Sequence, residues 1–527
     1  MKCLSRWGRS FLNSKSIDKG YARRAGVLTL VSLAAKVLGA LYRIPLTNII
    51  GAEGVGLYQL IFSIYALSLA LTSAFSSTLI SRQVSSYLAW GDEEGAKGYF
   101  FTAAAESFFS ALALSLILFF FGEGIAAAQG AVGGGAGYRV IAPAVVLVAI
   151  LSALKGWFNG NMNLTPSALS IVIEQGVKLS MGLILASLYR GRGMAAATAA
   201  ALGGVTISEV AAVLSLGTLY LFKRPKGRAI SISLKRVWKE GFPLRVNGLI
   251  LPAALFLDGL LIVRLLGIYG LAREEAVASY GIYAGAINSI VNFPVVLVIS
   301  LAIAVIPLIS RSKSTRDIAS LKGKAALTLK LSLVVSLPCA LALAVLAPQT
   351  VSLFYPVFTA AEKEVAARLL AIGAGSIVFM SLSQIYSSLL QAIDRAGDAA
   401  VSLAISVGVR LILILLIVPR IGIIGIAISG WISYLLFTLL TLAKWLQYTG
   451  KSENALKTLA LVTASGGIML SAILAPVMLI GSPLWSVLVS AAIGSVVYVL
   501  AVLKLRVFSL GELRSMPFSS FTTRIGR

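Results

Sequence analysis

Fourteen apolar runs of about twenty residues follow one another between residues 25 and 503, joined by short polar connections. A helix rises 1.5 Å per residue, so a run of about twenty covers the ~30 Å of a bilayer's hydrocarbon. In that medium each backbone N–H and C=O must be satisfied inside its own segment, which leaves the α-helix as the only spanning structure for separate runs of this length. The expected fold is an all-α polytopic membrane protein of about 14 transmembrane helices. Composition points the same way, with 58% of residues hydrophobic and 12% charged, against roughly 25% charged in soluble domains.

Charge then sets topology. The 45 Lys and Arg against 20 Asp and Glu give a net charge of +25. In a soluble chain that excess would suggest nucleic acid, but here it sorts by loop, and no nucleic-acid partner is expected. An even number of spans puts both termini on one side. The loops of that side carry 30 basic residues and the opposite loops 6. The positive-inside rule therefore places both termini in the cytoplasm of a multi-pass plasma-membrane protein. The basic, polar stretch before Ala25 has no short apolar core ahead of a small-residue cleavage site, and reads as a cytoplasmic tail.

Some chemistries drop out. The chain has no histidine and two cysteines, Cys3 and Cys339, without metal-ligand company. Zinc sites and histidine acid–base catalysis are excluded, and no metal site or resident cofactor is expected. A membrane glycosyltransferase or polymerase would need acids on sizeable loops. The acids outside the spans here sit in short clusters, "DEE" at 92–94, "REE" at 273–275 and "EKE" at 362–364, which read as solvated helix ends. The chain is not expected to be an enzyme.

The charges inside the spans carry the most information. Nine are basic, namely Lys36, Arg43, Lys155, Lys178, Arg245, Arg264, Lys330, Arg368 and Arg410, and four acidic, namely Glu106, Glu174, Glu209 and Asp258. Lys155, Lys330, Arg368 and Arg245 lie near span ends, where long side chains reach the interface. Glu174 and Lys178 are four apart and placed to neutralise each other. Lys36, Arg43, Arg264 and Arg410 still outnumber the acids left to pair with them. Intramembrane charges face a cavity or a partner, so the excess points to an anionic ligand. Lys36 and Arg43 stand seven residues apart, on one helix face within about 20°. A guanidinium grips a phosphate bidentately where an ammonium offers a point charge.

The chain also echoes itself. "LKGWFNGNMNLTPSALSIVIEQGVKLSMGLIL" (154–185) aligns with "YSSLLQAIDRAGDAAVSLAISVGVRLILILL" (386–416), with Lys178 and Arg410 in register. "TLISRQVSSYLAWGD" (78–92) resembles "PLISRSKSTRD" (307–317) in the same way. The expected organisation is a tail (1–24), a six-helix lobe (25–222), a basic cytoplasmic linker (223–239), a second six-helix lobe (240–443), two further helices (444–503) and a tail (504–527). Same-orientation repeats imply lobes related about the membrane normal, with alternating access to a midplane site.

"LAAKVLGALYRIPLTNIIGAEGVGLYQLIFSIY" and "GWFNGNMNLTPSALSIVIEQGVKL" resemble the MOP flippase superfamily, in the branch of stage V sporulation protein B and MurJ-type lipid II flippases, with polysaccharide-unit exporters as cousins. The resemblance covers most of the chain. It implies two six-helix lobes around a central cavity, and movement of a polyprenyl-pyrophosphate-linked saccharide (a lipid II, spore-cortex or polysaccharide precursor) from the inner to the outer leaflet. Carried over by position, Lys36 and Arg43 match the basic residues of the first helix and Glu53 the acidic place in the following "GAEGVG". Asp258 and Arg264 fall in the first helix of the second lobe. With Arg410 these six form the expected substrate-binding set. Glu106, Glu174, Gln175, Lys178 and Glu209 are expected in ion-coupling or structural roles. Expected partners are the lipid-linked anionic substrate, membrane lipids and cell-wall synthesis machinery, with a monomer as the working unit. Coupling to sodium ion, proton or membrane potential stays open, as does the sugar carried. The alternative is a MATE-type cation-coupled exporter of small molecules, which would need buried acids where this chain has an excess of bases.

Overall fold

The computed structural model describes residues 19–131, 133–222, 228–450, 455–509 and 512. The outer parts of both expected tails and residues 223–227 of the expected linker lie outside the described residues. All regular structure among the described residues is helical. Twelve helices there are long and apolar enough to cross a membrane, or 13 if a bent pair, Ala360–Ala374 and Ser376–Ala392, counts as one span. The first candidate, Gly26–Ala89, is 64 residues long, room for two crossings of about twenty residues. Separating them brings the number to the fourteen that the apolar runs imply.

The break inside that first candidate has a local cause. Helix α1, Lys19–Thr72, turns at Gly51, whose φ of 66° and ψ of −177° are non-helical. A left-handed φ strains any residue with a Cβ and suits glycine. The chain forms two compact units. Ala40–Leu60 and Ala128–Ala131 belong to the second unit, together with everything from Ala254 on.

The first unit contains α2 (Ser76–Ala89), α3 (Glu93–Gln129), α4 (Gly135–Gly160), α5 (Thr165–Tyr189), α6 (Met194–Phe222) and the start of α7 (Leu234–Tyr269). Its core gathers Ile80 and Val84 from α2, Tyr99 and Phe100 from α3, Trp157 and Phe158 from α4, Leu216 from α6 and Val237 from α7. Helix α4 lies tightly on α2 because a Cβ at Gly156 or Gly160 would come within 2.8 Å of Ile80 or Val84. Lipid offers no hydrophobic drive between helices, so close backbone approach at small residues supplies the packing.

The second unit continues through α8 (Arg273–Gly281), a π-helical turn (Ile282–Ile287), α9 (Asn288–Ser314), α10 (Ile318–Val345) and α11 (Ala347–Phe354). It is completed by α12 (Ala360–Ala374), α13 (Ser376–Ala392), α14 (Ala396–Ile421), α15 (Ile424–Thr449), α16 (Ala455–Leu479) and α17 (Pro483–Lys504). One core joins Val298 and Ile309 of α9 to Ile385 and Leu389 of α13 and Trp445 of α15. A second forms around Val462, Met469 and Tyr498 where α16 and α17 meet α10.

The aligned segments adopt the same turn in both units. Met162 and Asp394, which the alignment pairs, take φ of 58° and 63°. The Asn163 N–H donates to Phe158 at 3.0 Å and the Arg395 N–H to Leu390 at 2.8 Å, again matched positions. Neither Met nor Asp is glycine, so the shared left-handed residue is a property of the turn and not of one side chain.

Within the second unit, the α1 stretch after Gly51 rests on α8 and the π turn. A Cβ on Gly281 would run into the carbonyl of Ala52 and the backbone of Gly56, and one on Gly285 into Val55. Backbone cannot swing aside as a flexible side chain can. Gly281→Ala is therefore expected to destabilise the protein by about 1–3 kcal/mol, read as a lowered thermal midpoint in detergent. Gly267→Ala, where a Cβ meets nothing within 4 Å, is expected to leave the midpoint unchanged.

Candidate functional site

A regular α-helix closes each carbonyl with the N–H four residues on. The π turn at 282–287 loosens that register, as π-bulges at functional sites commonly do. Side chains then take up its carbonyls. Ala284 accepts from Gln59 Nε2 at 2.8 Å and, at the long limit of 3.5 Å, from Arg43 Nη1. Ala286 accepts from the Tyr355 hydroxyl at 3.0 Å. Asn48, one turn beyond Arg43, donates to the Phe354 carbonyl at 2.8 Å. Arg43 is half-buried, and among the described residues no carboxylate comes within ion-pairing distance of it. Its guanidinium is positioned by a neutral carbonyl and keeps its charge uncompensated.

The neighbours of Arg43 on α1 border a cavity of about 660 Å³. Ala40, Leu41 and Ile44 of α1 form one wall, facing Phe293 of α9, Leu343 of α10 and Tyr498 of α17. Apart from a few hydroxyls, the lining is apolar.

A second, smaller cavity of about 160 Å³ holds Asp258 and Arg410. Arg410 Nη1 meets Asp258 Oδ2 at 2.6 Å, with the two side chains 15% and 4% exposed. Tyr280, Tyr283, Tyr434, Trp431, Asn288 and Asn292 complete the polar and aromatic wall. Asp258 Oδ1 is buried without a hydrogen-bond partner. A buried carboxylate keeps its charge only when paired, and among the described residues Arg410 supplies the ion pair that holds Asp258.

The first unit has its own polar cluster. Lys155 bonds Glu174 at 3.3 Å, and Gln175 Nε2 donates to the other Glu174 oxygen at 3.3 Å. Glu174 thus finds a partner on α4 as well as its neighbour in sequence. Glu209, buried on α6, feels Glu174, Lys155 and Lys178, and its Oε2 has no hydrogen-bond partner. Lys178 Nζ lies 5.8 Å from the centre of the Phe62 ring. Separately, Arg245 bonds Glu106 at 2.5 Å and stacks on Phe75 and Trp238, with 4.1 and 4.6 Å to the ring centres. Cation–π contact over two rings suits a guanidinium drawn out of water.

Of the residues singled out from sequence, the structure brings Asp258 to Arg410 and gathers Glu174, Gln175, Lys178 and Glu209. Lys36 is exposed on α1, two turns before Arg43, with no ion pair among the described residues. Glu53 is exposed just past Gly51. Arg264 is exposed and donates to the Ala128 carbonyl at 2.8 Å.

The family model described as polysaccharide biosynthesis protein matches residues 21–313, more than half of the chain. The chain belongs to that family. Within the MOP superfamily it falls in the branch of stage V sporulation protein B and MurJ. It is 25% identical to stage V sporulation protein B of Bacillus subtilis (strain 168) over 93% of this chain and 96% of that one. It is 24% identical to lipid II flippase MurJ of the same organism over 81% and 83%. A solved structure of lipid II flippase MurJ in an inward closed conformation superposes with a TM-score of 0.70 at 16% identity, covering 91% of this chain and 98% of the other. The fold is therefore the one MurJ has. A second family model, MatE, matches residues 256–416. MurJ is by its name a flippase, a transporter of lipid.

In this family member the small cavity was not legible from charge alone. Tyr280, Tyr283, Trp431 and Tyr434 stand in apolar runs and carry no charge to mark them. The usable signal was Asn288 and Asn292, two amides spaced four apart in an otherwise apolar run.

Removing one member of a buried pair strands the other charge, so Arg410→Leu is expected to cost about 3–5 kcal/mol. The double change Arg410→Leu with Asp258→Leu is expected to recover most of that loss. Chemical or thermal unfolding of the purified variants measures both.

Proposed function

We propose that the protein moves a polyprenyl-pyrophosphate-linked saccharide from the inner to the outer leaflet by alternating access. One observation carries the reading: the stretch of α1 that bears Arg43 also lays Ala40, Leu41 and Ile44 along the apolar 660 Å³ groove. An uncompensated guanidinium beside an apolar groove suits a ligand with an anionic head and a long hydrocarbon tail. Lys36, exposed on the same helix, adds a second cation for a head that carries dispersed phosphate oxygens. The groove keeps the tail in an apolar medium while the head leaves the membrane surface. The family membership and the likeness to lipid II flippase MurJ support the reading.

The cargo sugar and the energy source are part of the proposal. An unneutralised cation such as Arg43 couples to the membrane potential at about 2.3 kcal/mol per charge per 100 mV, with Glu209 as the candidate site if a proton or sodium ion is used instead. Both termini are proposed to be cytoplasmic on the 30-to-6 distribution of basic residues. A Cys339→Ala chain, labelled at Cys3 with an impermeant maleimide in intact cells, should react only after the membrane is opened.

The MatE match over 256–416 keeps a second reading in view, export of small cations. Proteoliposomes separate the two. Lipid II head groups should become accessible to an external probe in a protein-dependent way, and Lys36→Ala and Arg43→Ala should each lower that rate at least ten-fold without loss of folded protein. Normal exposure with both variants would refute the assignment, and uptake of small cations without lipid exposure would favour export.

A further inference from the structure

We propose that the 160 Å³ cavity of the second unit is a saccharide-recognition site that reads one neutral sugar ring. As the source of the sugar it rests on the flippase reading, since it assigns the carbohydrate part of the same cargo.

Charge excludes the other ligand classes. An anion would have to displace Asp258 from Arg410, a contact of 2.6 Å between buried groups. A cation would approach a guanidinium. With the pair intact the cavity is neutral overall, yet it is densely polar. Asp258 Oδ1 has no hydrogen-bond partner, and a carboxylate oxygen can only accept. The complement is a neutral ligand that donates hydroxyl groups. Sugar hydroxyls also accept, and Arg410 and the phenol of Tyr434 are donors on the same wall.

The aromatic part of the lining supplies the other half of carbohydrate recognition. A pyranose presents an apolar C–H face that packs against an indole or phenol ring. Trp431 is held as a rigid platform. Phe379 meets it edge-on, at 5.3 Å and 89°. Its Nε1 lies 2.7 Å from where a Cβ on Gly375 would stand, at the bend between α12 and α13. Only a residue without a side chain leaves the indole that seat. Size favours a small ligand: the cavity is about 160 Å³ against about 660 Å³ for the apolar one, a scale suited to one ring and not to an oligosaccharide.

The test titrates the full chain in lipid nanodiscs with N-acetylglucosamine, glucose and galactose, following tryptophan fluorescence, with inorganic phosphate as the anionic control. At least one sugar should give a saturable change that phosphate does not, and Trp431→Phe should abolish it. Tyr434→Phe, which removes only a hydroxyl, should raise the half-saturating concentration at least three-fold, and Asn292→Leu at least ten-fold. A response to phosphate alone, no saturable response to any sugar, or a response that survives all three substitutions overturns the proposal. Vesicle assays separate it from the flippase reading. The same variants should slow lipid II and spare undecaprenyl pyrophosphate, which has no sugar. Lipid II movement unaffected by the variants would sink the sugar site and leave the flippase standing. Sugar binding without any lipid movement would do the reverse.

Discussion

A guanidinium drawn into an apolar medium must be met by charge, by dipoles or by a ligand, and the second unit is arranged around two of them. Arg410 is met by charge, through Asp258 at 2.6 Å. Among the described residues Arg43 meets no carboxylate; a dipole, the Ala284 carbonyl at 3.5 Å, orients the group without neutralising it. That difference separates their roles. The neutralised arginine belongs to a small, polar, aromatic cavity, and the uncompensated one sits on the stretch of α1 whose Ala40, Leu41 and Ile44 line the larger apolar cavity. The π turn links the two, because its Ala284 carbonyl accepts from Arg43 and its Tyr283 lines the cavity that holds Arg410.

Glycine makes this arrangement possible. Gly281 and Gly285 let the α1 stretch sit directly on α8 and the π turn, which brings Gln59 within 2.8 Å of the Ala284 carbonyl. Any larger residue would push α1 outward and take both Gln59 and Arg43 from their acceptor. Gly375 does similar work for Trp431. Packing by backbone approach, the general device of membrane helices, here also sets the geometry of the polar groups.

Much of this was legible in the sequence, and the limits follow from physics. Hydrophobic run length gave the fourteen spans because the bilayer's thickness is a fixed ruler. The repeat registered even the turn, with Met162 and Asp394 sharing a left-handed φ. The excess of basic residues in the spans singles out Lys36 and Arg43 as candidates. Pairing was harder. Asp258 and Arg410 are 152 residues apart, and periodicity says which face of a helix is apolar but not which helix it meets. Glu174 shows the same limit: its neighbour Lys178 was the visible partner, while Lys155 on α4 makes the bond. Neither the π turn nor the seat of Trp431 has a composition signal, since both depend on glycines that are common throughout membrane helices.

The most direct measurement is a photo-crosslink. A polyprenyl-pyrophosphate saccharide with a photoreactive group in its tail would be bound to the purified protein, illuminated, and the labelled residues mapped by mass spectrometry. Label concentrated on the groove walls, at Leu41, Ile44, Phe293 and Tyr498, and lost with Arg43→Gln, is the predicted result. Label spread over outward-facing residues such as Phe120 and Phe121 of α3, 70% and 66% exposed, and indifferent to Arg43, would contradict it.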